Sequence, residues 1–210
     1  MTVPGPVRRP GRPSLLTPSQ VAHAAFDLVD AEGPGALTIA RLAKELGVRP
    51  MTIYGYAASK DEIVTMVADL LLADLPPVDL RQRWQTVLEK VFLSIYRRFL
   101  DHRNVTLAVA DAPVFGRAQA EVIERVLMRL HRAGFSPEAA FHLQRTLATY
   151  TLGFAIFAIV ESRAGADRPR AAWSHLDVSE FPHLSAVSTL FGTEVTEAQY
   201  LRGLCRIIGD

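Results

Sequence analysis

At 210 residues and 49% hydrophobic content, the chain can fill one large domain or two modest ones, and it is too apolar for wholesale disorder. The net charge is only +1, but residues 1–60 hold seven Lys and Arg against four acids, a net of +3. The other 150 hold sixteen against eighteen, a net of −2. A single cysteine, Cys205, excludes an internal disulfide framework and a Cys-rich zinc site, and fits a reducing cytoplasm.

The N-terminal MTVPGPVRRPGRP has no apolar core and does not read as a signal peptide. Residues 1–16, rich in Pro, Gly and Arg, read as a flexible basic arm. In Thr17-Pro18-Ser19-Gln20, Thr17 caps a helix, Pro18 suits its first turn and Gln20 completes a capping box. Val21, Ala24, Ala25, Leu28 and Val29 then recur at helical spacing until Gly33-Pro34-Gly35. Thr38 caps a second helix, 38–46, whose apolar face is Ile39, Leu42, Ala43 and Leu46. Gly47 then supplies a left-handed stop. A short third helix spans roughly 50–56. Ser59-Lys60-Asp61-Glu62 reads as a capping box that opens a fourth helix, 60–74. Leu75-Pro76-Pro77 stops that helix and marks the expected domain boundary.

Residues 81–100 carry an amphipathic stripe: Trp84, Val87, Leu88, Val91, Phe92, Ile95, Tyr96 and Phe99. Helices follow near 105–110, 115–132 and 137–163. The second half of the last is apolar on nearly all sides, which predicts burial on nearly all sides. Its most apolar run, Tyr150 to Val160, is shorter than the ~18–20 residues of a membrane span, so no membrane segment is expected. Residues 164–180 read as a polar loop. Helices near 182–190 and 196–208 close the chain, the last capped by Thr196 and Gln199. The pattern shows neither strands nor internal repeats.

Two short helices joined at Gly47 suit a helix-turn-helix, in which one helix braces and the other enters the major groove. The reading helix presents Arg49, Met51, Thr52, Tyr54, Gly55 and Tyr56. The hydroxyls of Thr52, Tyr54 and Tyr56 are suited to phosphate oxygens. Lys60, beside the N-terminus of the next helix, makes a second anion site. Thr38 and Arg41 of the bracing helix join the candidate DNA set. So does Arg12 of the arm, which could lie along a narrow minor groove.

Several motifs in this region resemble the TetR family of transcriptional regulators. They run from Gly11-Arg12-Pro13 through Leu28-Val29-Asp30-x-Glu32-Gly33, Leu37-Thr38 and Leu42-Ala43-x-Glu45-Leu46-Gly47-Val48 to Thr52-x-Tyr54 and Ser59-Lys60-x-Glu62-Ile63. Weaker likeness to the tetracycline-repressor branch extends through Leu100-Asp101-His102, Leu130-x-x-Ala133-Gly134-Phe135-Ser136-Pro137-Glu138-Ala139, Leu152-Gly153-Phe154 and Phe181-Pro182-x-Leu184. The resemblance implies an all-α homodimer in two parts. A three-helix helix-turn-helix DNA-binding domain occupies 17–75, after the arm, and a helical ligand-binding and dimerisation domain occupies 76–210. It also implies a palindromic double-stranded DNA operator, with the helices at 137–162 and 196–208 pairing as a four-helix bundle. The chain departs from the family pattern at Ala40, where many relatives are basic, and at Gly55 and Tyr56. Its operator is therefore expected to differ from familiar ones.

Phe92, Tyr96, Phe99, Met128, Phe135, Tyr150, Phe154 and Phe157 fall on core faces, and such a stripe is core packing more often than pocket lining. The resemblance raises the pocket reading. It makes Phe92, Tyr96, Phe99, His102, Met128, Gln144, Thr146, Tyr150 and Phe154 the candidate contacts for a small apolar or amphipathic effector. No spacing suggests a metal, a cofactor or an enzyme's catalytic motif. The reading is a cytoplasmic, ligand-responsive repressor. The alternatives are an activator, a regulator without a small ligand, and a helical binding protein that has lost DNA binding.

Overall fold

The computed structural model describes residues 16–77, 79, 81–111, 116–164, 180–187, 190 and 195–209. Among these the chain is helical, with no strand. The order is α1 (Pro18–Glu32), a 3-10 turn (Pro34–Ala36), α2 (Ile39–Glu45), α3 (Pro50–Ile53), α4 (Lys60–Ala73), α5 (Trp84–Asp101), α6 (Arg103–Ala110), α7 (Arg117–Arg132), α8 (Pro137–Ala164), α9 (Pro182–Ala186) and α10 (Glu197–Ile208). The arm with Arg12 and the loop expected at 164–180 lie almost entirely outside the described residues.

Local chemistry sets most of the boundaries. Thr17 and Thr196 each accept a hydrogen bond from the amide three residues on, and Gln20 and Gln199 return the bond, so both expected capping boxes form. The third expected box forms differently. Ser59 accepts from the Glu62 amide, but the Glu62 carboxylate reaches the amide of Ala58, at 2.7 Å, rather than that of Ser59. At Gly47, with φ of 65°, the Val48 amide bonds the Ala43 carbonyl and the Gly47 amide bonds that of Lys44. This Schellman pair closes α2 and turns the chain sharply into α3.

α3 is shorter than the sequence suggests, ending at Ile53 rather than near residue 56. The amides of Gly55 and Tyr56 bond carbonyls three residues back, so the last turn tightens and unwinds. Gly55 therefore stands in a turn, where the helix-interior penalty for glycine does not apply.

One hydrophobic cluster runs without a break from Val21 in α1 to Ile208 in α10. α4 is central to it. Its inner face buries Ile63, Val64, Val67, Ala68 and Leu71, and it packs on α1, α6, α7 and α5. Two polar joints reinforce this arrangement. In the first, the Asp69 carboxylate of α4 accepts from the amides of Arg117 (3.2 Å) and Ala118 (2.8 Å), capping the start of α7. Gly116 makes room for that approach, since a Cβ there would stand 2.1 Å from Asp69 Oδ1. In the second, Nδ1 of His102, at the α5–α6 corner, lies 2.8 Å from Asp30 Oδ2 of α1. The Asn104 amide donates to the Asp30 carbonyl at 2.7 Å.

α8 is buried along one side only within the single chain. Ala140, Gln144, Leu147, Thr151, Ala155 and Ile159 form one buried ridge, but Phe157 is 57% exposed and Val160 52%. Burial on all sides is not reached within one chain. By length and composition alone, Pro137–Arg163 could cross a membrane. Its single ridge, packed against α5, α7 and α10, is instead the arrangement of a core helix with one open side.

Candidate nucleic-acid interface and effector cavity

The reading segment is held from beneath. Leu42 and Ala43 of α2, Ile53 of α3 and Ala57 are buried, and they anchor the turn to the α1–α4 core. The opposite side faces solvent: Met51 is 76% exposed, Tyr54 48%, and Thr52 and Gly55 are exposed beside them. Arg49 stands at the N-cap of α3, exposed and without an ion pair among the described residues. Lys60 is the first residue of α4, also exposed. Thr52, Tyr54 and Lys60 thus lie within nine positions of one another, on the outer side of a braced turn.

Other candidate residues have partners that the sequence did not disclose. Thr38 Oγ1 accepts from the Arg41 amide at 3.1 Å and starts α2, while its own proton remains available. The Arg41 guanidinium is paired with Glu32 at 2.7 Å, across a nine-residue separation. At the head of α4, Ser59 takes the Glu62 amide of the first turn, while Glu62 takes that of Ala58, ahead of the helix, which leaves the Lys60 side chain and the first amides of α4 on the exposed side. Tyr56 is half-buried, and its hydroxyl donates to the Leu16 carbonyl at 2.6 Å. Its single proton is therefore committed to the chain rather than to phosphate. This bond fixes the point from which the basic arm departs, next to the reading turn.

Replacing Tyr56 by Phe keeps the ring and removes that anchor. The expected result is about fivefold weaker binding to DNA per half-site, the equivalent of one net hydrogen bond of ~1 kcal/mol. Titration at two salt concentrations checks this, since a loosened basic arm also flattens the salt dependence.

The candidate effector residues do not all meet in one cavity, although Thr146 and Tyr150 share an open pocket with His142, Arg145, Thr149 and Ile207. Phe92, Tyr96 and Phe99 are buried on one face of α5. Tyr96 and Tyr150 join Phe154 and Tyr200 in an aromatic cluster, with Tyr96 stacked on Tyr200 at 4.1 Å. Gln144 is buried on the α8 ridge and Met128 is half-buried on α7. Thr146 is exposed and bonds its own helix at His142. His102 sits at the joint with α1. The Asp30 carboxylate can only accept, so His102 Nδ1 carries the proton there, and the imidazole meets Phe26 edge-on at 4.9 Å.

A cavity of about 120 Å³ lies instead on the other face of α5. It is lined by Leu75, Pro76, Pro77, Val87, Val91, Ser94, Val122, Arg125 and Val126. None of these was singled out as a ligand contact from sequence. Val87 and Val91 belonged visibly to the amphipathic stripe, but Leu75-Pro76-Pro77 read only as a helix stop.

Residues 22–67 match the family model of bacterial regulatory proteins of the tetR family, and residues 76–209 match the tetracyclin repressor-like C-terminal domain. The chain belongs to the TetR family. This TetR-family chain is 30% identical to tetracycline repressor protein class E of Escherichia coli over 71% of its own length and 70% of that protein's. It is 27% identical to the class A repressor from transposon 1721, also of Escherichia coli, over 92% and 89%. Among solved structures it superposes on the Streptomyces coelicolor TetR family protein ActR in complex with (S)-DNPA, with a TM-score of 0.79 and 26% identity, covering 93% of this chain and 96% of that one. It also superposes on BioQ bound to its double-stranded DNA operator, with a TM-score of 0.60 and 26% identity over 69% and 88%. As a TetR-family regulator, the protein is a DNA-binding transcriptional regulator built on the all-α plan that its sequence suggests.

Proposed function

We propose that the protein is a homodimeric repressor, released from a palindromic operator when a small amphipathic molecule enters the cavity between α5, α7 and the end of α4. Residues 17–75 form the DNA-binding head, residues 76–210 form the effector and dimer body, and the protein works in the cytoplasm where its operator lies. The observation that carries this reading is the position of the cavity. Leu75, Pro76 and Pro77 line it just past the C-terminal end of α4, whose first residue is Lys60 of the DNA face. A guest that shifts this end of the rod moves the reading head at the other. A coupling of ~1–3 kcal/mol changes DNA affinity about 5- to 150-fold.

The lining specifies the guest. Its apolar walls suit a ring or a short acyl segment, since a cavity of roughly 150 Å³ admits benzene. Ser94 and Arg125 are the polar groups in the lining, and no carboxylate among the described residues pairs with Arg125. An acidic group on the effector fits that cation.

The open side of α8 supports the dimer. His142, Arg145, Thr146, Thr149, Gly153, Phe157 and Val160 are exposed at helical spacing, and α10 packs beside them. Pairing with a second copy covers this stripe.

Selection from random duplexes by the full-length protein, followed by binding across salt concentrations, tests the reading. A palindrome whose affinity falls steeply with salt is expected, and the absence of any enriched sequence would sink the proposal. The cavity is tested by Val91→Phe, which fills it. This variant is expected to hold the operator as tightly as wild type and to be released by no effector that releases wild type.

A further inference from the structure

The side chains on the reading turn have few ways to recognise a base. Among the exposed residues of α3 and the turn after it, only Thr52 and Tyr54 carry a side-chain donor or acceptor, a single hydroxyl each. Arg, Lys, Asn, Gln, Asp and Glu, which supply most of the paired hydrogen bonds to base edges, are missing between Arg49 and Ser59, leaving only Arg49 and Lys60 at the two edges of the segment. Gly55 offers no side chain, and the Tyr56 hydroxyl is committed to Leu16. The most prominent side chain here is apolar. Met51, at 76% exposure, is the most exposed large hydrophobic residue among those described, and it stands outward on the second position of α3. No other part of the described chain covers it.

A long thioether held out on a major-groove element needs an apolar target, and a base pair presents one in that groove, the C5-methyl group of thymine. We infer that each half-site presents a thymine to Met51, and that its methyl group is a main determinant of the operator sequence. The inference deepens the DNA-reading function by naming the atom group that is read.

Replacing thymine by uracil removes only this methyl and leaves every hydrogen-bonding group of the base pair in place. The test uses the full-length protein and its selected operator. Each thymine is replaced by uracil in turn, symmetrically in both half-sites, and binding is measured for wild type and Met51→Ala. Because Met51 is so exposed, the alanine variant keeps the core intact.

One thymine position is expected to lose affinity about fourfold per half-site on losing its methyl, the factor expected for one buried methyl-sized group. The same replacement is expected to leave Met51→Ala unaffected. At that position, 5-methylcytosine in place of cytosine, in an otherwise disfavoured site, should recover part of the binding to wild type only. Uracil replacements without effect anywhere, or an equal penalty in Met51→Ala, would overturn the inference. Either result would still leave a sequence-specific operator, whereas failure of the DNA-reading function would give no selected operator at all.

Discussion

Replacing Thr52, Tyr54 and Lys60 together by alanine is expected to lower operator affinity about 100-fold or more, with no change in melting temperature. All three side chains are exposed, and none carries a tertiary contact that the fold needs. Lys60 is expected to supply a charge-assisted contact and each of the two hydroxyls at least what a neutral hydrogen bond supplies. Together they amount to about 2.5–6 kcal/mol per half-site. Lys60→Ala alone should weaken binding evenly across sequences and reduce the salt slope by about one per half-site. Fluorescence anisotropy on the selected operator checks both results. Unchanged affinity of the triple variant would mean that the outer side of this turn is not the DNA face.

The second large effect concerns Tyr200, which sits fully buried where α10 meets α5 and α8. Its ring stacks on Tyr96 at 4.1 Å and 10°, with Tyr150 beyond it at 5.5 Å. Its hydroxyl donates to the Phe92 carbonyl at 3.0 Å and lies 2.9 Å from Thr151 Oγ1, which itself donates to Leu147 at 2.7 Å. Two hydroxyl protons thus serve three short contacts, so one proton is shared. Burial pushes the Tyr200 phenol well above its ordinary pKa, so it stays neutral at physiological pH.

Tyr200→Ala is expected to cost about 3–5 kcal/mol, from the lost ring and the cavity left behind. Tyr200→Phe is expected to cost about 1–3 kcal/mol, because the Phe92 carbonyl loses its buried donor. Denaturant unfolding at fixed protomer concentration checks both, since dimerisation adds to apparent stability. Equal stability of the two variants would show that the ring contributes nothing beyond its hydroxyl.

These contacts mark how far the sequence could be read. The caps at Thr17 and Thr196, the turn at Gly47 and the amphipathic stripe of α5 depend on residues within a few positions of one another, and each could be read directly. The Tyr56–Leu16 bond spans 40 residues, the Asp30–His102 pair 72 and the Tyr200–Phe92 bond 108. No local pattern encodes such partners; they follow from how the helices pack. The cavity beside α5 was hidden for the same reason. It lies on the Val87–Val91 face of α5, against α7 and the end of α4, and periodicity shows that this face is apolar without showing where packing leaves a gap. The exposed stripe of α8 marks the same limit: apolar composition predicts burial but does not say whether the covering surface belongs to the same chain.

The Asp69 cap has a consequence for the order in which the chain is made. Asp69 belongs to the segment carrying the reading turn, but the amides it caps lie 48 residues further along. At the usual pace of synthesis, about 5–20 residues per second, this interval is roughly 2–10 seconds. For that time a newly emerged α4 holds an unpartnered carboxylate beside an apolar face that α7 has yet to cover. α4 reaches its final packing only once α7 has been made, so the rod that joins the reading turn to the cavity is completed together with the cavity wall that α7 supplies.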